Sequence, residues 1–127
     1  MTTPLDAIDH GAAAEDLIDD IEALENTRAP LVAVYGPGGT WDAERKALLC
    51  VRAVFIRDEY QTKQQKVTEA QLDQEAHADE AYEARINLAT AERTEMALLD
   101  AEIAAKTRRY ELAKSRVYLA GRLAGLA

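Results

Sequence analysis

Carboxylates are the residues of this 127-residue chain most numerous for acid–base chemistry, with 23 acids against 15 Lys and Arg and two histidines. Glu80 and Glu83 stand three apart, as do Glu92 and Glu95, a spacing that sets side chains next to each other on a helix. A catalytic carboxylate pair also needs neighbours that drive its two pKa values apart. No His or Cys falls at a supporting position, and no G-x-S-x-G nucleophile pattern is present. The chain reads as non-enzymatic. His10 and His77 are far apart and lack zinc-ligand spacing, so no metal or other cofactor is expected. Cys50 is the one cysteine, which excludes an internal disulfide and fits a reducing compartment. Within the apolar run 47–56 it reads as a small buried hydrophobe.

A glycine-rich stretch raises phosphate chemistry. Gly36-Pro37-Gly38-Gly39-Thr40 follows the apolar residues 29–35, yet the G-x-x-x-x-G-K-[ST] pattern is missing and no Lys-Ser or Lys-Thr comes after the glycines. The expectation is a β-prone connector over 29–35 and a flexible hinge over 36–40.

Charge offers another route to phosphates. The net charge is −8, but residues 1–44 carry −9, residues 45–66 carry +4, residues 67–105 carry −8 and residues 106–127 carry +5. Two basic blocks can hold phosphates locally in spite of an acidic total. The first supplies Arg52, Arg57, Lys63 and Lys66; the second supplies Lys106, Arg108, Arg109, Lys114 and Arg116, interleaved with Tyr110 and Tyr118. Single-strand binders combine such cations with aromatic rings on which bases stack. Tyr118 is the freer ring, because Tyr110 falls on an apolar seam. These nine cations and Tyr118 are the candidate nucleic-acid contacts.

Helices must hold these residues. From Thr40 to Ala120 there is neither Gly nor Pro, and strong helix formers predominate. One unbroken helix would leave its apolar stripe uncovered, so the chain is expected to fold back. Thr68 with Gln71 forms a capping-box pair, and Asp79 is a second candidate cap. The spacing predicts a helix over 41–65, a turn or short helix over 67–77 and a long helix over 79–120. Residues 5–28, with Leu17, Ile18, Ile21 and Leu24 at helical spacing, predict either one acidic helix or a helix pair broken at Gly11. The fold class is therefore all-α: a long antiparallel helical hairpin, coiled-coil-like, over 41–127, preceded by a short N-terminal helix and connector over 1–40.

Tyr82, Ala89, Met96, Ile103, Tyr110 and Val117 recur every seven residues, with Ile86 and Leu99 beside them. The complementary positions Arg85, Glu92, Leu99, Lys106, Ala113 and Ala120 are half charged. Narrow Ala-rich stripes bury little surface against the cost of ordering the chain. Self-association is therefore expected, through Tyr82, Ile86, Met96, Leu99, Ile103, Tyr110 and Val117. In an antiparallel register residues 45–57 would lie beside 106–120, bringing the two basic blocks to one end. The longest apolar run, 47–56, is broken by Arg52 and falls short of the roughly 20 residues of a membrane span. Residues 1–9 hold acids and no base, unlike a signal peptide. No membrane contact and a cytoplasmic location are expected.

The order Tyr60, Lys63, Lys66-Val67-Thr68-Glu69, Asp79 and Tyr82, then a long helix with Met96, Leu99, Ile103, Lys106 and Arg109, resembles small tailed-phage proteins of the UvsY-like type. The likeness spans residues 42–120. It implies a ring-forming helical recombination mediator that binds single-stranded DNA and assists a RecA-like recombinase, with Lys63, Lys66, Lys106 and Arg109 as phosphate contacts. The acidic N-terminal arm departs from that pattern. Two other readings stand beside it. One is a structural or adaptor protein of a phage particle or its assembly, located in the virion, with basic blocks spent on neighbouring protomers. The other is an acidic inhibitor or decoy acting through residues 1–28.

Overall fold

The computed structural model describes residues 4–126, with side chains placed from Gly11 to Gly125; His10 lies outside the described side chains. Among the described residues the chain is all-helical: α1 (Pro4–Tyr35), α2 (Trp41–Thr62), α3 (Glu69–His77) and α4 (Glu80–Leu126). No helix among them is long and apolar enough to cross a membrane. The chain divides into two compact units. One holds α1 up to Pro30 and α4 from Met96; the other is Leu31–Glu95.

In the first unit each helix turns one stripe inward. On α1 the stripe is Ala14, Leu17, Ile21, Leu24 and Arg28; on α4 it is Met96, Leu99, Ile103, Lys106, Tyr110, Ala113, Val117 and Ala120, all buried or half-buried. Steps of three and four residues are those of a heptad seam. Asp20 meets Lys106 at 3.1 Å and Arg28 meets Asp100, so low numbers on α1 face high numbers on α4. The sequence alone sets residues 45–57 against this stretch; in the structure α1 takes that place. Ala14, Ala113 and Ala120 are buried, and side chains this small let two helix backbones approach closely. Met96, Leu99, Ile103, Tyr110 and Val117, expected to join protomers, are thus covered within one chain.

The second unit is built on Trp41, Leu72, Ala76, Tyr82 and Ala89, all buried. α2 packs on α3. Thr68 and Gln71 form the expected capping box at the start of α3. Asp79 Oδ2 accepts from the Tyr82 N–H at 3.1 Å, which satisfies an otherwise orphaned donor of the first turn of α4. α2 ends three residues before the expected 65, in a Schellman motif: the Gln65 N–H reaches the Tyr60 carbonyl at 2.9 Å and the Gln64 N–H reaches the Gln61 carbonyl at 3.0 Å. Gln64 takes φ 55, the left-handed region that favours glycine.

Four expectations need correction. Residues 29–35 are helical, although β-prone, and α1 is 32 residues long rather than short. Leu17, Leu24 and Leu31 lie seven apart, as do Ala14, Ile21, Arg28 and Tyr35, all buried or half-buried. That row carries the helix through Pro30, whose missing N–H forfeits one backbone bond. Gly11 does not break α1. Residues 36–40 form a defined turn rather than a loose hinge, with Gly38 at φ 74, Gly39 N–H bonded to the Gly36 carbonyl at 2.9 Å and Thr40 N–H to the Ala33 carbonyl at 3.3 Å. Cys50 is exposed, not buried, because α2 turns Trp41, Arg45, Leu48, Leu49, Arg52, Ile56 and Tyr60 inward and Cys50 lies off that stripe.

Candidate functional site

The structure sorts the candidate cations by what holds them. Arg52 spends one edge of its guanidinium on one partner: Nε is 2.8 Å from Asp79 Oδ2 and one terminal nitrogen is 3.0 Å from Oδ1. The same group lies 4.7 Å from the centre of the Phe55 ring. Arg57 donates to Glu69 at 2.8 Å. Lys106 donates to Asp20, and its side chain keeps only 20% of its exposure. These three are engaged by carboxylates of their own unit. Lys63 and Lys66 are exposed and make no ion pair among the described residues. Ile86 and Tyr82, expected at an oligomer seam, are half-buried and buried in the second unit.

The C-terminal half of α4 is different. Arg108, Arg109, Lys114 and Arg116 are all exposed, as is Arg122, and none has a carboxylate within ion-pair distance among the described residues. At about 100° per residue, positions four apart fall nearly in line along a helix. Lys114, Tyr118 and Arg122 therefore form one row, with an aromatic ring between two cations. Tyr118 is 66% exposed. A planar ring open to solvent and bracketed by positive charge can stack a base while the cations take the flanking phosphates. Arg108 borders this row; Arg109 and Arg116, seven apart, lie on the opposite flank.

No family model matches the chain, and no curated protein or solved structure matches it. The site therefore stands on its own geometry.

A second cluster, unforeseen in the sequence, surrounds the turn between α1 and α2. The Tyr35 and Trp41 rings lie 5.7 Å apart at 55°. Arg85 sits over Trp41 at 4.4 Å, donates to the Tyr35 hydroxyl at 2.9 Å and reaches Glu44 at 3.4 Å. The Tyr35 hydroxyl, and less strongly the carboxylates near it, raise the Arg85 pKa and keep the guanidinium charged. Arg93 lies over the other ring, 5.7 Å from Tyr35. Beside them a cleft of about 470 Å³ is lined by Trp41, Arg45, Thr90 and Arg93 and by the glycines of the turn. Arg45 is tied to Asp42 at 3.1 Å, and Lys46 also pairs with Asp42, so hydrogen bonds from Lys46 and then Arg45 hold that carboxyl below its usual range. The cluster works as a strut: one arginine stacked, hydrogen-bonded and ion-paired locks α2 to α4 inside this unit. Two signals pointed toward it, a lone tryptophan after a glycine turn and an arginine on the complementary heptad positions.

Glu80, Glu83 and Glu95 are exposed and Glu92 is half-buried on α4. His77 is used locally, with Nδ1 2.8 Å from the Asp73 carbonyl oxygen and its ring edge-on to Tyr82 at 5.6 Å.

Proposed function

We propose that this protein is a non-enzymatic helical module that binds single-stranded nucleic acid along the C-terminal half of α4. The observation that carries the reading is the Lys114–Tyr118–Arg122 row, an exposed aromatic between two cations that no described carboxylate neutralises. Arg108, Arg109 and Arg116 widen the positive surface; Lys63 and Lys66, in the second unit, are exposed cations of their own. Arg52, Arg57 and Lys106 serve as structural ion pairs rather than phosphate contacts. The resemblance to UvsY-like mediators supplies the biological frame: an oligomer in the cytoplasm of a phage-infected host that hands single-stranded DNA to a RecA-like recombinase. The acidic outer face of α1 would serve to dock on a basic partner.

The test is fluorescence anisotropy of a labelled single-stranded oligonucleotide titrated with the full chain at several salt concentrations. Affinity should fall steeply with salt, because bound cations release counterions. Tyr118→Ala should weaken binding by about 1–3 kcal/mol, the value of one base stacked on an aromatic ring. Flat titrations at low salt, with the protein shown helical, refute the reading.

A structural or adaptor role is the second reading. It is favoured by the exposed apolar row Val51, Val54 and Phe55 on α2, with Cys50 beside it, which no part of the described chain covers. It predicts capture of a protein partner through α2 with no affinity for nucleic acid.

A further inference from the structure

The outer face of α4 in the first unit carries its own heptad row. Leu98, Ala105, Leu112 and Leu119 lie seven apart, and the three leucines are 66%, 52% and 55% exposed. Leu112 sits one residue before the buried Ala113, so this row runs about 100° around the helix from the seam that α1 covers. Leucines at heptad spacing on a face turned to solvent are the signature of a second seam awaiting a helix.

The charges beside the row say which helix. Glu102 and Arg109 lie seven residues apart on the same flank, one acidic and one basic, on either side of Ala105. A copy of α4 laid antiparallel with Ala105 near the two-fold axis sets Leu98 beside the second copy's Leu112. The same register sets Glu102 of each chain against Arg109 of the other, twice by symmetry. A parallel copy would instead carry this flank of the two chains to opposite sides of the seam, so neither charge would meet its counterpart. Neither charge is taken up inside the chain: Glu102 and Arg109 are exposed and make no ion pair among the described residues. The acidic outer face of α1 fits less well, since it offers this row no comparable apolar stripe; Ile18, at 38%, is its one large exposed apolar side chain among the described residues.

We propose that two copies of this chain pair antiparallel through the Leu98, Ala105, Leu112 and Leu119 face of α4, with Glu102 and Arg109 setting the register. This face is distinct from the Lys114, Tyr118 and Arg122 row, so pairing leaves that row open while it takes Arg109 out of the flanking positive surface.

Sedimentation velocity of the full chain across a concentration series, without nucleic acid, tests it. The expected species has twice the chain mass. Leu112→Asp, at an exposed position, should abolish it while circular dichroism keeps the helix content. Glu102→Arg and Arg109→Glu should each weaken pairing by about tenfold, because each places two like-charged contacts across the axis. The double variant should recover the wild-type constant. A chain that stays monomeric at its highest soluble concentration overturns the proposal. So does a dimer that Leu112→Asp leaves intact, or one that Val54→Asp on α2 dissociates instead. Failure of the double variant to rescue overturns the antiparallel register.

Discussion

Asp79 grips Arg52 and caps α4 with the same carboxylate. Its two oxygens take the Arg52 guanidinium at 2.8 and 3.0 Å, and Oδ2 also accepts the Tyr82 N–H at 3.1 Å. Only 11% of the side chain is exposed. The hydrogen bond from Arg52, more than any other cause, holds the Asp79 pKa below its ordinary 3.8. A depressed folded-state pKa means stability that is fully present above the unfolded value and lost as pH falls through the folded one. The second unit should therefore lose stability progressively below pH 3.8. Asp79→Asn should flatten that acid limb in urea melts at pH 7 and pH 3. Asp79→Ala should cost about 1–2 kcal/mol at pH 7 through the lost cap alone.

Gln64 is expected to be a stabilising target. A non-glycine residue in the left-handed region costs about 1–2 kcal/mol, and the Schellman motif places one there. Gln64→Gly should raise the unfolding free energy by about 1 kcal/mol in chemical denaturation, seen as a higher midpoint with the slope unchanged.

Lys106 and Tyr118 should separate by assay. Lys106 is committed to Asp20, whereas Tyr118 touches solvent. Lys106→Ala should lower stability by about 0.5–1 kcal/mol and leave oligonucleotide anisotropy almost unchanged. Tyr118→Ala should do the reverse. Equal loss of binding in both variants would return Lys106 to the phosphate contacts.

Arg85 should report through Trp41, the sole tryptophan. Removing the guanidinium strips the stack on Trp41 and the donor to Tyr35. Arg85→Ala should red-shift the tryptophan emission and cost about 1–2 kcal/mol, measured by fluorescence-detected unfolding.

The helical class, the caps at Thr68 and Asp79 and the seven-residue rhythm of α4 were legible in the sequence, because each depends on residues three to seven positions apart. The partner of the rhythm was not. α1 and α2 both present apolar residues at helical spacing, and residues 29–35 carry Pro30 and two valines, which local propensity counts against helix. Burial along Leu17, Leu24 and Leu31 outweighs that propensity, and only the folded chain displays it. The same holds for the cations. Arg52, Arg57 and Lys106 look no different in sequence from Arg108 and Lys114, yet carboxylates 12 to 86 positions away claim the first three.

The turn between α1 and α2 bears on how this chain can vary. At Gly36 an added Cβ would fall 2.7 Å from both Val32 Cγ1 and the Val32 carbonyl oxygen, at Gly39 it would strike the Val34 carbonyl, and Gly38 holds φ 74. Three positions within four residues are closed to side chains, while Gly11, Gly121 and Gly125 face open space. Mutational drift would thus be channelled: lineages descending from this sequence can rewrite the tips of α1 and α4 and still fold, but the corner at 36–39 is inherited nearly unaltered or lost together with the fold.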